Sequence, residues 1–336
     1  MTLADNSEAY ALTDLCGIVS AGDELLVNTT AVDLGLGTGG AHVVHANLTS
    51  PWLGAAGPGR IMKARYLSVQ LGVETIEESG SAGTVGQLPS LGSVRVVLCV
   101  LHSHAVALAA AVADALGTGP GYVMTDGGAL PFVLSDLAAA ALDSGVIATA
   151  VSAGHAFGAP IESVTVASGV AVLAQRGIDR IVVAPGPGHL GSDSPLGFAA
   201  LDLAGHAAVL DRLGAATAVA VRASSVDGRP RHRGVSHHAR TLAALCPSRT
   251  AVPTPAPAQD RPISPDRVDS DELMSGTDAA WARSLGSRAV AVEPLSVPDA
   301  IRRSGLTITT MGQPLAADAH ACAWLGAAAS WLADGA

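Results

Sequence analysis

Lysine is nearly missing from this chain: Lys63 stands alone among 336 residues, and arginine supplies the rest of the positive charge. One lysine leaves a single residue for any Schiff-base or phosphate-loop role, which removes most lysine chemistry. Basic residues are scarce altogether. Lys and Arg number 19 against 29 Asp and Glu, a net charge of −10, so the chain lacks the basic patches that nucleic acid and anionic membrane surfaces select. Aromatic residues make up 3% of a sequence that is 49% hydrophobic, so a core must be built from Ala, Val, Leu and Ile. The four cysteines, Cys16, Cys99, Cys246 and Cys322, show no CxxC spacing. That argues against a disulfide frame or zinc knuckle and for buried free thiols in a reducing compartment. No basic stretch followed by an apolar core opens the sequence, and the apolar runs Val94–Val100 and Ala321–Ala329 fall short of the roughly 20 residues that span a bilayer. The expected location is the cytoplasm. The expected partners are a small anionic molecule and, for assembly, further copies of the chain in a homo-oligomer.

What is present divides the chain by pattern. Residues 1–92 carry short β-rich runs (Leu25–Val32, Ala41–Leu48, Leu67–Ile76) punctuated by glycine, and predict a small β-rich, barrel-like domain. Residues 93–246 change to repeated strand–helix units. Val94–Val100 is a continuous apolar run suited to a strand buried on both faces, and Ala105–Leu116 reads as a helix. Four further units follow, ending in Thr217–Val221 with Ser236–Leu245. This alternation predicts an α/β fold with a mostly parallel sheet and helices on both faces. Residues 247–275, rich in Pro, Ser and Asp, read as a loop or linker. Residues 276–336 complete the fold with helices over Ala279–Leu285, Pro298–Ser304 and Asp318–Leu332, and a last strand over Leu306–Thr310.

Histidines fall where such a fold places ligands. His102, Asp126, His155, His189 and the group His232, His237 and His238 each follow an apolar run, at the carboxyl ends of the expected strands. Imidazoles beside a carboxylate suit a transition metal or proton transfer better than packing. Met124–Pro131 sets Asp126 before two glycines, and Gly154 and Gly158 flank His155, an arrangement expected to clear space around its ring. Pro185–Ser194 lacks the GK[ST] of a phosphate loop, yet the amides of Gly186 and Gly188 are suited to an anion. Arg229–His238 is the densest signal. Ser236 reads as an N-cap, which sets His237 and His238 in a first helical turn. Adjacent helical residues diverge by about 100°, so only one of the two is expected to face a shared metal. Arg231 and Arg233 offer forks for a carboxylate or phosphate. Gly35–Gly40 spells GxGxxG, but no helix pattern follows to receive a pyrophosphate, so a turn is the better reading.

The segments Asn28–Gly40, Ile61–Lys63, Leu101–Ser103, Met124–Pro131, Gly154–Gly158 and Arg231–His238, with Thr309–Gly312 more weakly, resemble a bacterial family catalogued as domain of unknown function 3866. The resemblance covers His102, Asp126, His155, His232, His237 and His238, but not clearly His104 or His189. Its activity is unassigned, so it implies residues and no reaction.

The leading expectation is a metal-dependent, hydrolase-like enzyme. Zn²⁺, Mn²⁺ or Fe²⁺ would be held by Asp126 with some of His102, His155, His237 and His238. His232 and His155 would carry protons, and Arg231, Arg233, Gly186 and Gly188 would bind an anionic substrate. The alternatives are a metal-free protein that binds a small anion, and a serine hydrolase using Ser236, the latter weakened because the segment lacks the final glycine of GxSxG.

Overall fold

The computed structural model describes residues 1–35, 40–52, 59–80, 87–256 and 275–334. Two compact units meet at Ser79 and Gly80, earlier than the pattern change near residue 92. In the first unit, β1 (Glu8–Tyr10), β2 (Leu25–Asn28) and β3 (Ala41–Asn47) form a three-stranded sheet in the order β1-β3-β2, and β4 (Ile61–Lys63) pairs with β5 (Leu71–Val73). Ala9, Cys16 and Val44 make its small core. Residues 36–39 of the GxGxxG segment lie outside the described residues.

The second unit is built on six parallel strands: β6 (Arg95–Cys99), β7 (Gly121–Thr125), β8 (Thr149–Ser152), β9 (Ile161–Glu162), β10 (Arg180–Pro185) and β11 (Ala216–Ala220). Their order is β11-β6-β10-β7-β8-β9. The protein is thus an α/β fold preceded by a small β-rich unit. In β6, Val96, Val97, Leu98 and Cys99 are all fully buried, as a strand covered on both faces requires. Val97 and Cys99, with Tyr122, Met124, Val182 and Ala184 of neighbouring strands, point into one layer. That layer holds α3 (His102–Leu116), α4 (Asp136–Asp143), α9 (Val297–Ser304) and α10 (Ala319–Ala333), which contribute directly to the core, while α8 (Gly276–Ser284) packs through Trp281 on a separate cluster with Val235, Ala239 and Trp324. The opposite face carries α5 (Val166–Gln175), α6 (Leu203–Arg212) and α7 (His237–Leu245).

Local sequence sets the helix ends. Ser135, Thr165 and Asp318 accept a backbone N–H at the starts of α4, α5 and α10, and glycines in left-handed conformation close α3 at Gly117 and α9 at Gly305. The Pro-rich stretch is not all loop. Val252–Pro255 form a buried strand, β14, parallel to β15 (Ala289–Val292). Ala251 just before it exchanges hydrogen bonds with Thr217 and Val219 of the edge strand β11. The long-range pairing overrides the local proline signal. Residues 257–274 lie outside the described residues. The expected strand over Leu306–Thr310 is reduced to Thr309–Thr310 (β16), which turns back onto Gln313–Pro314 (β17). Two further short strands, β12 (Ala223–Ser224) and β13 (Gly234–Val235), pair antiparallel beyond β11. Among the described residues no helix is long and apolar enough to cross a membrane.

The closeness of this packing gives a test. Gly326 sits mid-helix in α10, and a Cβ there would press into the Leu295 carbonyl, whose own N–H donates to the Gly326 carbonyl. Helix propensity alone would make Gly326→Ala stabilising by about 1 kcal/mol. Overpacking against backbone should reverse the sign and cost about 1–3 kcal/mol, read as a lower midpoint in thermal or urea unfolding.

Candidate functional site

Two loops beyond the sheet's carboxyl edge build the site. After β10 the chain runs through residues 186–198, carrying His189 and Ser192 and closed by a bridge between Gly191 and Phe198. After β11 it passes through the β12/β13 pair and the turn Pro230–His232 before entering α7 at His237. The Ser236 amide donates to the Arg222 carbonyl, which fixes the entry of α7 to the end of β11.

Together the loops gather four imidazoles. One ligand atom from each of His232, His237 and His238 lies within 4.8 Å of the others. The ring centroids of His237 and His238 are 3.9 Å apart, and His232 stands 5.1 and 5.5 Å from them. His189 lies edge-on to His238 at 6.3 Å, and Phe198 stacks on His238 at 4.2 Å and stands edge-on to His189 at 6.3 Å. Oxygen atoms hold the rings: His232 Nδ1 bonds Ser236 Oγ at 2.9 Å, and His238 Nε2 bonds the Ser192 carbonyl at 3.0 Å. His237 reaches the Arg231 carbonyl through Nδ1 and the Ser192 carbonyl through Nε2, both at 3.3 Å. A neutral imidazole carries one N–H. If that N–H donates to an oxygen, the other nitrogen keeps its lone pair. His238 Nδ1 and His189 Nδ1 are buried with no hydrogen-bond partner. Burial depresses the basicity of this group, with the Arg222 charge adding to it: His232 falls to about 3, and His189 and His238 to about 4. His189, His232 and His238 are therefore neutral at physiological pH, the form that binds metal.

The placement of both His237 and His238 in one group corrects the expectation that only one would face it. They occupy the first turn of α7, where no preceding turn crowds the side chains, so the rings swing together despite the angle between their Cα–Cβ bonds. Ser236 sits at the N-cap position but makes no side-chain cap; its hydroxyl turns to His232. Fully buried, Ser236 orients a ring rather than facing a substrate.

The other expected ligands go elsewhere. His102 begins α3 and is buried, with Nδ1 bonded to Tyr122 Oη at 2.8 Å and Nε2 to Ser135 Oγ at 2.6 Å. Both partners are hydroxyls that can donate or accept, so each ring nitrogen is engaged whichever tautomer is present. Neither nitrogen is left for a metal. Asp126 accepts the His155 backbone N–H at 2.9 Å. Gly154, at φ +67°, leaves room for the Asp126 carboxylate rather than for the His155 ring. Among the described residues the only metal-capable group is His232, His237 and His238, and Asp126, His155 and His102 stand outside it. Gly186 is buried and presses on the Ala129 carbonyl, so it serves close backbone packing. Gly188 opens instead onto a shallow cleft with Asp126, Gly128 and Asp202. Arg231 pairs with Asp193 at 3.0 Å, and Arg233 Nε donates to the Asp227 carbonyl.

Sequence reasoning passed over three parts of the site. His189 was marked by its place after a strand, but its partnership with His238 depends on the loop closing at Gly191, where a Cβ would meet the His238 ring. Phe198 carried no signal beyond its rarity. Asp278, in the first turn of α8, is buried and accepts from Val235 N, Ser275 Oγ, Arg240 Nη2 and His320 Nε2. Burial would raise its pKa, but the hydrogen bond from His320 and those from Val235 and Ser275 hold it below the usual carboxylate value.

His102 yields a pH prediction. Burial lowers its pKa from 6.5 to about 4. The unfolded chain binds a proton below pH 6.5 that the folded chain refuses, so stability is full above that pH and declines as pH falls through 4. The shift corresponds to about 3 kcal/mol. His104 shifts the same way, to about 3. In urea unfolding between pH 7 and 4, His102→Gln should show a shallower decline than wild type; identical slopes would remove His102 as the source.

No curated protein and no solved structure matches the chain. A family model described as "Protein of unknown function (DUF3866)" matches residues 8–329. Nearly the whole chain, both units and the histidine cluster included, therefore belongs to the DUF3866 family.

Proposed function

We propose that this chain is a metal-dependent enzyme of hydrolytic type acting on a small anionic substrate. The observation that carries the reading is the convergence of His232, His237 and His238 to within 4.8 Å. Three imidazoles on one ion leave a position for water or substrate, as in catalytic rather than structural zinc sites. An all-imidazole donor set favours Zn²⁺, Mn²⁺ or Fe²⁺ over Mg²⁺ and Ca²⁺. Such an ion, when bound, supplies a Lewis acid and lowers the pKa of a coordinated water.

The chain's own residues fit that task. Ser236 and the Ser192 carbonyl hold the rings from behind, as outer partners of metal-binding histidines do. Phe198 fixes the plane of His238 and shields it from water. His189, half-buried beside His238 with its Nδ1 unbonded, takes the proton-accepting role that the sequence assigned to His155. Arg231 is the residue for the anionic end of a substrate. Its partner Asp193 is largely exposed, and an exposed ion pair is weak enough to exchange.

The test is elemental analysis and Zn²⁺ titration of protein purified without chelator or affinity histidines. Wild type should hold one transition metal per chain, and His238→Ala should lose it while keeping its far-ultraviolet dichroism. Ser236→Ala should weaken metal binding about 10- to 100-fold, whereas Asp126→Asn should bind as wild type does. Wild-type protein that takes up no Zn²⁺, Mn²⁺ or Fe²⁺ overturns the reading.

A further inference from the structure

A cavity of about 430 Å³ is lined by Arg222 and by none of the clustered histidines His189, His232, His237 and His238. Its walls come from four places: His104 in the first turn of α3, Arg222 and Arg229 beyond β11, the β16–β17 hairpin with Thr310 and Gln313, and Asp318 at the start of α10. The volume is that of a small-ligand site.

Two of its polar side chains are more than nine-tenths buried, yet carry hydrogen-bonding groups that no other described residue takes up. His104 is 3% exposed, and its imidazole has no hydrogen-bond partner among the described residues. The Arg222 side chain is 7% exposed, yet among the described residues only one of its nitrogens has a partner, Nη2 to Asp227 Oδ2 at 3.1 Å. A guanidinium offers five donors, so those that Asp227 does not take remain for a ligand in the cavity that Arg222 lines. The carboxylates do not compensate. Asp227 is bound by Arg229 through its amide, Nε and Nη2. Asp318 accepts from Ser224 Oγ, Ser225 N and Oγ, and Ala321 N. Both are saturated, so the cavity presents donors in excess of acceptors.

The hairpin adds a second mark. Met311 and Gly312 at its turn have φ of +50° and +77°. A two-residue turn of this hand calls for Asn or Gly, and methionine there is strained. Strain of that kind persists where the surroundings impose it, often at ligand clamps. Here Met311 is one of the residues that line the cavity.

We infer that this cavity is a binding site for a small organic oxyanion, a carboxylate or phosphate ester, gripped by the Arg222 fork and His104 and covered by the Thr309–Pro314 hairpin. A planar guanidinium matches either anion through paired N–H groups, and His104, neutral when buried, donates or accepts one further bond. The inference stands with or without a metal at the histidine cluster.

The test is calorimetric titration of the full chain with succinate and with inorganic phosphate, at ionic strength matched with chloride. Saturable binding of either probe is expected: succinate alone marks a carboxylate site, phosphate alone a phosphate site, and both a general oxyanion site. Arg222→Met should weaken binding about 10- to 100-fold. Gln313→Trp, an exposed hairpin position that tolerates bulk, should block the cavity without disturbing the fold, and His237→Ala should bind as wild type does. Three results overturn the site: no probe binding above chloride, Gln313→Trp binding as tightly as wild type, or loss of binding in His237→Ala.

Discussion

One buried carboxylate sets the geometry of everything at this sheet edge. Asp278 takes hydrogen bonds from the backbone of Val235, from Ser275, from Arg240 in α7 and from His320 in α10. A charge removed from water is tolerated only when it is this thoroughly paired. The pairing ties the segment entering α7 to two helices that follow it in sequence. Gly234 lets that segment pass directly over the carboxylate, where any Cβ would collide with it. The three histidines that follow or precede Ser236 are thus fixed by a residue forty or more positions away.

The same distance explains what could be read in the sequence. The continuous apolar run of β6 and the strand–helix alternation announced a parallel sheet, because burial on both faces imprints itself on consecutive residues. Strand-end histidines were legible for the same reason, since topology places those ends along one edge. Which of them meet is a matter of loop path. His102 and Asp126 occupy the expected edge but spend their polar atoms on Tyr122, Ser135 and the His155 amide. His189 joins the cluster only because the loop after β10 folds back at Gly191. The rule that adjacent helical residues diverge holds for Cα–Cβ directions, and it failed for His237 and His238 because long rings at an open first turn are not bound by it.

Arg222 joins the two polar regions. Its backbone carbonyl receives the amide of Ser236, its side chain lines the cavity, and its charge depresses the basicity of His104, His189, His232 and His238. Burial is the larger cause at each of the four imidazoles, and one buried cation adds to it at all of them. Membership of the DUF3866 family gives these positions a shared frame, and their chemistry can be compared on that frame residue by residue.

Helix α10 has a consequence for how the protein is made. It is buried along nearly its whole length against α3 and β14, and Arg95 and Arg180 at the starts of two strands donate to its last carbonyls, with the Arg95 guanidinium also over the Trp331 ring. Every strand it covers is synthesised before it. A nascent chain that has finished the sheet still displays an alanine- and valine-lined face to solvent, and at ordinary elongation rates of about 5–20 residues per second it does so for several seconds. Chaperone engagement during synthesis is the natural demand of such an order, and chains truncated before Ala319 would reach the cell as aggregation-prone intermediates rather than as smaller folded proteins.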